Sequence, residues 1–355
     1  MSNVLYQGIA GSIKTPVYGG RGGYSMEAMD QFRKHLCKYR YYIGGNLTSV
    51  IPRSYWQKRL AFHLARLDAM TPEKRAAIIG RVNYYNKMTS SFAFPRAMNS
   101  ECQLYISKKS TAYKMDLKNV LRFFPDDINC SYWFGDIVTI PDFPTFLKSR
   151  PITAGTENAN SVLLKLNRVR HYYVVDDTLS FERKIPGLMW RGKSNQPERV
   201  EVLRRFYNNG LCNVGDTHAP GKSTDYVRPF LSIPQQLQYR YILSVEGNDV
   251  ATNLKWIMAS NSLCLMRKPK YETWFMEGQL IPDFHYALIK DDYSDVEEKV
   301  NFYNDNPGLA LNIIRNANIW VEKFFKEQDE LLVELLVMQK YLQLSGQVPV
   351  LESLK

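Results

Sequence analysis

The chain has 355 residues, of which 45% are hydrophobic and 23% are charged, and its formal net charge is +11. This composition is that of an ordinary globular protein and excludes wholesale disorder, and the length is sufficient for two domains. No apolar run approaches the roughly 20 residues that a membrane-spanning helix needs, and the N-terminus lacks the pattern of a signal peptide. The five cysteines are dispersed without CxxC spacing. They argue against a zinc site and a disulfide framework, and they favour a reducing, cytoplasmic location.

The positive charge is confined to the first half of the chain. Residues 1–170 hold 25 Lys and Arg against 11 Asp and Glu, a formal charge of +14, and the other residues hold 21 against 24, a charge of −3. The basic residues are interleaved with aromatic ones, as in residues 38–46 and 55–67. Such a surface suits an anionic partner, which includes nucleic acid, an acidic lipid headgroup and a phosphorylated glycan. A solvated basic face without a partner is the alternative.

The first half reads as a helical region followed by short mixed elements. Residues 1–24 are rich in glycine and predict a flexible arm. Helical periodicity is predicted over residues 25–42, 54–67, 71–87 and 116–124. Thr71 and Pro72 are a suitable cap and first position for the third helix. Strands are predicted over residues 103–107 and 131–140.

Asp142 follows the second of these strands, in the loop Pro141-Asp142-Phe143-Pro144. A carboxylate at the end of an apolar strand, held between two prolines, is placed as a general base would be. An Asx-turn carboxylate that only stabilises the loop is the alternative.

From about residue 171 strands alternate with helices, which indicates a doubly wound parallel sheet. Strands are predicted over residues 171–175, 187–190, 241–245, 262–266 and 285–289. Helices are predicted over residues 197–207, from Asp249, from a capping box of Ser294 and Glu297, from Asn306-Pro307, and over residues 328–344. The last helix is apolar on one face and must therefore dock against another part of the chain.

Residues 239–266 form the central unit of this half, a strand, a polar elbow, a helix and a second strand. The elbow is Glu246-Gly247-Asn248-Asp249, with Asp249 as the predicted cap of the helix and Lys255 one turn further on. Ligands of open α/β sheets bind at the carboxyl ends of strands, next to helix N-termini, where free N–H groups favour a phosphate. A scaffold unit without a ligand is the alternative.

The segment from Trp190 to Arg199 is a second candidate for phosphate binding. Arg191 and Gly192 end a predicted strand just before a helix that contains Arg199. An arginine there can bind two phosphate oxygens, and a glycine allows a ligand to approach closely. A surface Arg-Gly turn is the alternative.

Other motifs are excluded. Residues 221–224 (GKST) resemble the end of a Walker A loop but lack its first glycine and its strand–loop–helix context. The chain has no DxD sequence, and its five histidines have no metal-ligand spacing. We therefore predict no metal site and no cofactor.

Three stretches occur in order: the PDFP loop with Asp142, the WRG…PER segment with Arg191 and Arg199, and the block from residue 239 to 266 with ETWF after it. Together they resemble glycosyltransferase family 90. The resemblance covers about residues 115–325 and is weak before them. It implies a GT-B fold, in which two Rossmann-like domains face each other across a cleft. It also implies an inverting, metal-independent transfer from a UDP-sugar, with Asp142 as the base.

On this reading residues 25–170 form the acceptor-side domain, residues 171–325 bind the nucleotide-sugar, and the helix within 326–355 packs back on the first domain. The eukaryotic members carry an arginine where this chain has Asn253. Either Lys255 or Arg150 replaces it, or the donor is held differently. The donor site predicted from the motifs comprises Arg191, Gly192, Arg199, Glu246, Gly247, Asn248, Thr252, Asn253, Lys255 and Arg150.

Without a secretion signal the chain resembles the bacterial branch of the family. That branch implies a lipopolysaccharide or other lipid-linked, anionic glycan acceptor and peripheral contact with the inner face of the plasma membrane, and no nucleic acid. Two alternatives stay open. One is a basic nucleic-acid-binding protein, and the other is a non-catalytic glycan-binding relative, which the departure at Asn253 favours.

Overall fold

A computed structural model of the chain describes residues 36, 39–45, 50–94, 111–173, 176–218 and 225–354. The predicted arm, the predicted strand over 103–107 and the GKST segment lie outside these residues, as does most of the predicted helix over 25–42. Residues 39–45 are helical.

The first half contains helices around a small parallel sheet. Its elements are α1 (Arg53–Asp68), α2 (Pro72–Tyr85), α3 (Thr111–Leu121), β1 (Ser131–Tyr132), β2 (Thr145–Leu147), β3 (Ser149–Pro151), β4 (Ser161–Leu163) and α4 (Arg168–His171). Strands β1, β2 and β4 form a parallel sheet in that order. Helices α1 and α2 agree with the predictions to within two residues, whereas α3 starts five residues before and ends three residues before the predicted range. The Thr71 side chain caps α2 by accepting from Lys74 N.

The strand predicted over residues 131–140 is wrong beyond its first two residues. Only Ser131 and Tyr132 pair with β2 as strand β1. Gly135 then adopts a φ of 129°, in the left-handed region that favours glycine, and the chain leaves the sheet. An apolar run was therefore interrupted by a single glycine that redirects the backbone.

The second half is a parallel sheet with helices between its strands, as predicted. Its elements are β5 (Ile185–Gly192), α5 (Pro197–Phe206), β6 (Cys212–Asp216), α6 (Ile233–Gln236), β7 (Tyr239–Leu243), α7 (Leu254–Met258), β8 (Leu263–Met266), β9 (Tyr271–Thr273), β10 (Ala287–Leu288), α8 (Val296–Asp305), α9 (Pro307–Glu322) and α10 (Glu327–Leu344). The sheet has the strand order β10-β8-β7-β5-β6. All of its neighbouring strands are parallel.

Three local predictions in this half are wrong. His171 belongs to helix α4, and Tyr172 and Tyr173 follow it outside any strand, while residues 174–175 lie outside the described residues. Helix α7 begins at Leu254, and Asp249 does not cap it. Helix α8 has Asp295 at its cap position, not Ser294, and that carboxylate accepts from Lys290 N instead of from the helix.

One hydrophobic cluster contains residues of both halves, and a second lies within residues 181–314. Strand β3 pairs antiparallel with β9, and Arg150 bonds Glu272 across this ladder. Helix α10, from the end of the chain, packs against α1, α2 and α3. It is buried around its circumference rather than on one face, and its Glu330 accepts from Lys165 at 2.7 Å.

Across the described ranges, no helix combines the length and the apolar composition that crossing a bilayer requires. Among the cysteines there, Cys212 and Cys264 are buried and free, and Cys130 takes part in a disulfide. The expectation of reduced cysteines is therefore wrong for Cys130.

Candidate active site

The carboxyl ends of the two parallel sheets meet in what we call the junction, formed by Asp136, Lys148, Asn248 and Asp249. Asp136 follows β1 and Lys148 directly follows β2, whereas Asn248 and Asp249 lie in the loop after β7. The Asn248 amide donates to an Asp136 carboxylate oxygen at 3.3 Å. α/β proteins bind ligands at the carboxyl ends of parallel strands, so the junction is a candidate active site.

Lys148 joins the two sides of the junction. Its ammonium lies 2.6 Å from Asp136 Oδ1 and 2.7 Å from Asp249 Oδ2. The side chains of Lys148 and Asp249 are 2% and 4% exposed, while that of Asp136 is 28% exposed. Of the two carboxylates, Asp136 is therefore the one that a substrate can reach.

The two carboxylates have opposite pKa shifts. Burial raises the pKa of Asp136, but the hydrogen bond and charge of Lys148 outweigh burial and leave it below its usual value. Burial raises the pKa of Asp249, and Lys148 offsets only part of that rise. Asp136 is thus ionised at neutral pH and able to accept a proton.

A pocket opens beside the junction, between the carboxyl ends of β7 and β8. Its lining includes Ser244, Glu246, Met266, Arg267 and Tyr271. One oxygen of the Glu246 carboxylate accepts from Lys270 N at 3.1 Å and from Tyr271 N at 3.4 Å, which connects the two loops that form the pocket. The pocket combines an apolar wall with a few fixed polar groups.

Asp142 lies at the other end of β2 from Lys148. It is exposed and precedes Thr145, the first residue of β2, so it is at the amino end of that strand. Its neighbour Phe143 packs against Phe92, at 5.5 Å between ring centroids. The structure therefore does not bring Asp142 to the junction, because the strand that was expected to precede it does not form.

Arg199 and the predicted elbow are close together. The Arg199 guanidinium donates to Glu246 O and Val245 O, both at 3.2 Å, and to Lys193 O at 3.3 Å. A Cβ on Gly247 would lie 2.9 Å from Arg199 Nη2. Arg199 therefore fixes the loops after β5 and β7 relative to each other.

Arg191 is used differently from its predicted role. Its guanidinium donates to Asn213 O at 2.8 Å, to Asn213 Oδ1 at 2.7 Å and to Pro229 O at 3.1 Å. Burial, together with the charge of Arg228, lowers its pKa to about 10. A Cβ on the neighbouring Gly192 would lie 2.5 Å from the Trp190 ring, so this glycine makes room for a side chain of the protein.

Arg150 and Lys255 cannot replace the missing arginine in the way we expected. Arg150 is fully buried, and it donates to Glu272 Oε1 and Tyr84 O, both at 2.7 Å. Lys255 is 1% exposed and pairs with Glu277 at 2.7 Å. Both cations are therefore parts of the scaffold.

Asn253 also supports the loop itself. Its amide donates to Leu243 O at 3.1 Å, and its oxygen accepts from Ser244 Oγ at 3.2 Å. Thr252 precedes it and is half-buried.

Sequence reasoning missed Asp136, Lys148 and Arg170. The available signal was Gly135-Asp136 inside a run that was interpreted as one continuous strand. Arg170 is exposed on α4, and its charge lowers the pKa of both Asp136 and Arg199. It is therefore a cation close to both sides of the junction.

Residues 152–352 match the family described as glycosyl transferase family 90. The chain belongs to glycosyltransferase family 90. It is 46% identical over 307 residues to the O-glucosyltransferase LpsA of Dichelobacter nodosus, covering 86% of this chain and 96% of that protein. It is 28% identical over 218 residues to human protein O-glucosyltransferase 3, covering 57% of this chain and 42% of that protein. A zebrafish (Danio rerio) protein O-glucosyltransferase 2 is 27% identical over 143 residues, covering 38% of this chain and 28% of that protein.

The chain is thus a glycosyltransferase, as its motifs predicted. In the part of this glycosyltransferase that the structure describes, no group of three or more His, Cys, Asp or Glu residues could hold a metal ion. Metal-independent transfer stays a prediction.

Proposed function

We propose that this glycosyltransferase transfers glucose from UDP-glucose to a glycan acceptor, with inversion at the anomeric carbon and with Asp136 as the general base. The observation that carries the proposal is a partly exposed, ionised carboxylate at the carboxyl end of one sheet, beside a pocket at the carboxyl end of the other. Glucose as the transferred sugar is supported by the names of the similar O-glucosyltransferases. A GT-B arrangement is supported by the two parallel sheets whose carboxyl ends meet.

The step is a single displacement. Asp136 takes the proton of the acceptor hydroxyl as its oxygen forms a bond to the anomeric carbon. The bond from that carbon to the phosphate oxygen breaks, and UDP leaves with the electron pair. Attack from the face opposite UDP inverts the configuration.

Negative charge on the departing UDP must be met by fixed positive groups. Arg267 lines the pocket, and Arg170 is exposed on the opposite side of the junction. We assign the diphosphate to these two arginines because of their position. Arg150, Arg191 and Lys255 are held by other groups of the protein. Arg267 also donates to Asp291 O at 3.1 Å and lies 3.6 Å from Glu198, but it lines the pocket. Glu246 lines the same pocket, and we assign the ribose hydroxyls to it.

We further propose that the acceptor is an anionic glycan such as lipopolysaccharide, met at the inner face of the membrane. The excess of positive charge in residues 1–170 supports this partner. The Cys130 disulfide is not typical of a reducing compartment, so the cytoplasmic location stays a prediction.

The test compares Asp136→Asn with Asp142→Asn in the purified full chain. With UDP-glucose and lipopolysaccharide as substrates, Asp136→Asn is expected to lower turnover by about 10²- to 10⁴-fold, the range of a general base. UDP should still raise the melting temperature of this variant, because the pocket is intact. Asp142→Asn should keep turnover within a factor of about two, because a surface change away from the chemistry has little effect.

Two outcomes would contradict the assignment. Loss of turnover in Asp142→Asn alone would restore the base predicted from the sequence. Absence of any UDP-dependent stabilisation in the unmodified protein would remove the donor from the proposal.

A further inference from the structure

Lys148 is buried between two carboxylates that come from opposite sides of the junction. Lysine is rarely buried unless it is paired, and here it is paired twice, at 2.6 Å to Asp136 and at 2.7 Å to Asp249. Lys148 is the first residue after β2, so the position of its Cα is determined by the register of the small sheet. No sequence motif pointed to it.

We propose that Lys148 is a positioning residue: it keeps the Asp136 carboxylate ionised and fixes its distance from the donor-side loop through Asp249. This inference rests on the proposed function, in which Asp136 is the base. The lysine itself does not touch the substrate, because its side chain is 2% exposed.

Tyr113, His171 and Arg170 also lie near the Asp136–Lys148 pair. Tyr113 of α3 lies near Asp136 and is kept neutral, because burial raises its pKa. His171 of α4 lies near Lys148 and Arg170, and burial together with nearby cations holds its pKa well below the usual value. Arg170 of α4 is exposed, and its charge acts on Asp136 in the same direction as that of Lys148. Asp136 and Asp249 are therefore the groups of this cluster whose charge changes on the acidic side.

The direction of the pH effect follows from the charges. An opposite charge within hydrogen-bond distance lowers a carboxyl pKa, and Lys148 does so for Asp136. Without the lysine the pKa of Asp136 rises, so a larger fraction of the base is protonated and inactive on the acidic side. Asp249 acts in the opposite sense, because its negative charge disfavours ionisation of Asp136.

The first measurement is the pH dependence of kcat/KM for the full-length protein with UDP-glucose and lipopolysaccharide. Lys148→Met should move the acidic limb to higher pH by about one unit or more. Lys148→Arg should bring it back, and Asp249→Asn, the matched control, should leave the limb in place or move it to lower pH. A Lys148→Met variant that loses the same factor of activity at every pH would show that the lysine is only structural.

The second measurement needs no turnover. Without Lys148, two carboxylates face each other with no cation between them. The melting temperature of Lys148→Met should therefore fall further below that of the unmodified protein at pH 7.5 than at pH 5. Adding Asp136→Asn should reduce this deficit, whereas additive shifts that do not depend on pH would overturn the pairing.

The two measurements separate this inference from the proposed function. If Asp136→Asn retains full turnover, Asp136 is not the base and the proposed function is wrong in that respect. The melting experiment then decides by itself whether Lys148 holds the two carboxylates together.

Discussion

The two sides of the junction use their positive charges in different ways. On the first side, Lys148 forms ion pairs with two carboxylates, one of which is partly exposed. On the second side, Arg191 donates to a main-chain carbonyl oxygen of strand β6, and Arg199 donates to one in the loop after β7. A cation near a strand end can therefore either stabilise loops or bind substrate. The acceptors around its nitrogens distinguish the two roles.

The largest effect on stability that we expect concerns the buried Lys255–Glu277 ion pair of the second half. Lys255→Met should destabilise the protein by about 3–5 kcal/mol, because it leaves Glu277 as an unpaired buried charge. The free energy of unfolding in urea measures this loss. Lys299→Met is the control, since its pair with Asp283, at 3.9 Å and partly exposed, contributes at most about 1 kcal/mol. Equal losses in the two variants would show that Lys255 is not a scaffold residue.

Arg191→Ala and Arg170→Ala test whether each arginine stabilises the protein or binds UDP. Arg191→Ala should cost about 1–3 kcal/mol of stability, because the oxygens that it satisfies lose their donor, and it should leave UDP affinity unchanged. Arg170→Ala should instead lower UDP affinity about tenfold, the effect of one charge-assisted contact, with an unchanged melting temperature. Calorimetric titration with UDP and thermal melting measure both quantities. The reverse result would return Arg191 to the donor site.

Glu246→Gln tests the pocket with a smaller change. The amide can still accept from Lys270 N and Tyr271 N, so the loops should remain in place. Loss of the charge weakens a hydrogen bond to a ribose hydroxyl by about 1 kcal/mol, which is about fivefold in UDP affinity. Uracil binding, measured in parallel, should not change. A variant that also loses stability would point to a role in the loop instead of the ligand site.

The smallest effect belongs to a carboxylate outside both sides. Hydrogen bonds from Arg204 and Arg205 lower the pKa of Glu201 to about 2. A lowered pKa contributes stability above the pKa of the unfolded chain, and that contribution is lost as the pH falls toward 2. Because these side chains are exposed and screened by solvent, Glu201→Gln should change the free energy of unfolding by less than about 0.5 kcal/mol at pH 7. Transfer activity should be unaffected.

The second half of the fold was predictable from local patterns. Its strands and helices alternate at the expected spacing, and Arg199, Glu246, Gly247 and Asn248 do lie together. What the pattern could not supply was the use of each side chain. Asp249 was predicted to cap a helix, but it forms an ion pair with Lys148, which is distant in sequence. Such a pairing depends on how two sheets meet, which no local window contains.

The first half was less predictable for the same reason. Its strands are two or three residues long, too short to show a period of two. An apolar run that crosses Gly135 therefore looked like one strand and directed attention to Asp142 instead of Asp136. The last helix was expected to be apolar on one face, yet Glu330, Glu334 and Lys340 are buried with it. Their partners come from elsewhere in the chain.

Helix α10 has a consequence for how the protein is made. Its place lies among α1, α2 and α3, which leave the ribosome long before it. The core of the first half can close only after Leu344 has been translated. A nascent chain that already contains the complete five-stranded sheet would still expose apolar surface in its earlier part, and chaperones and proteases would have access to that surface until Leu344 has been translated.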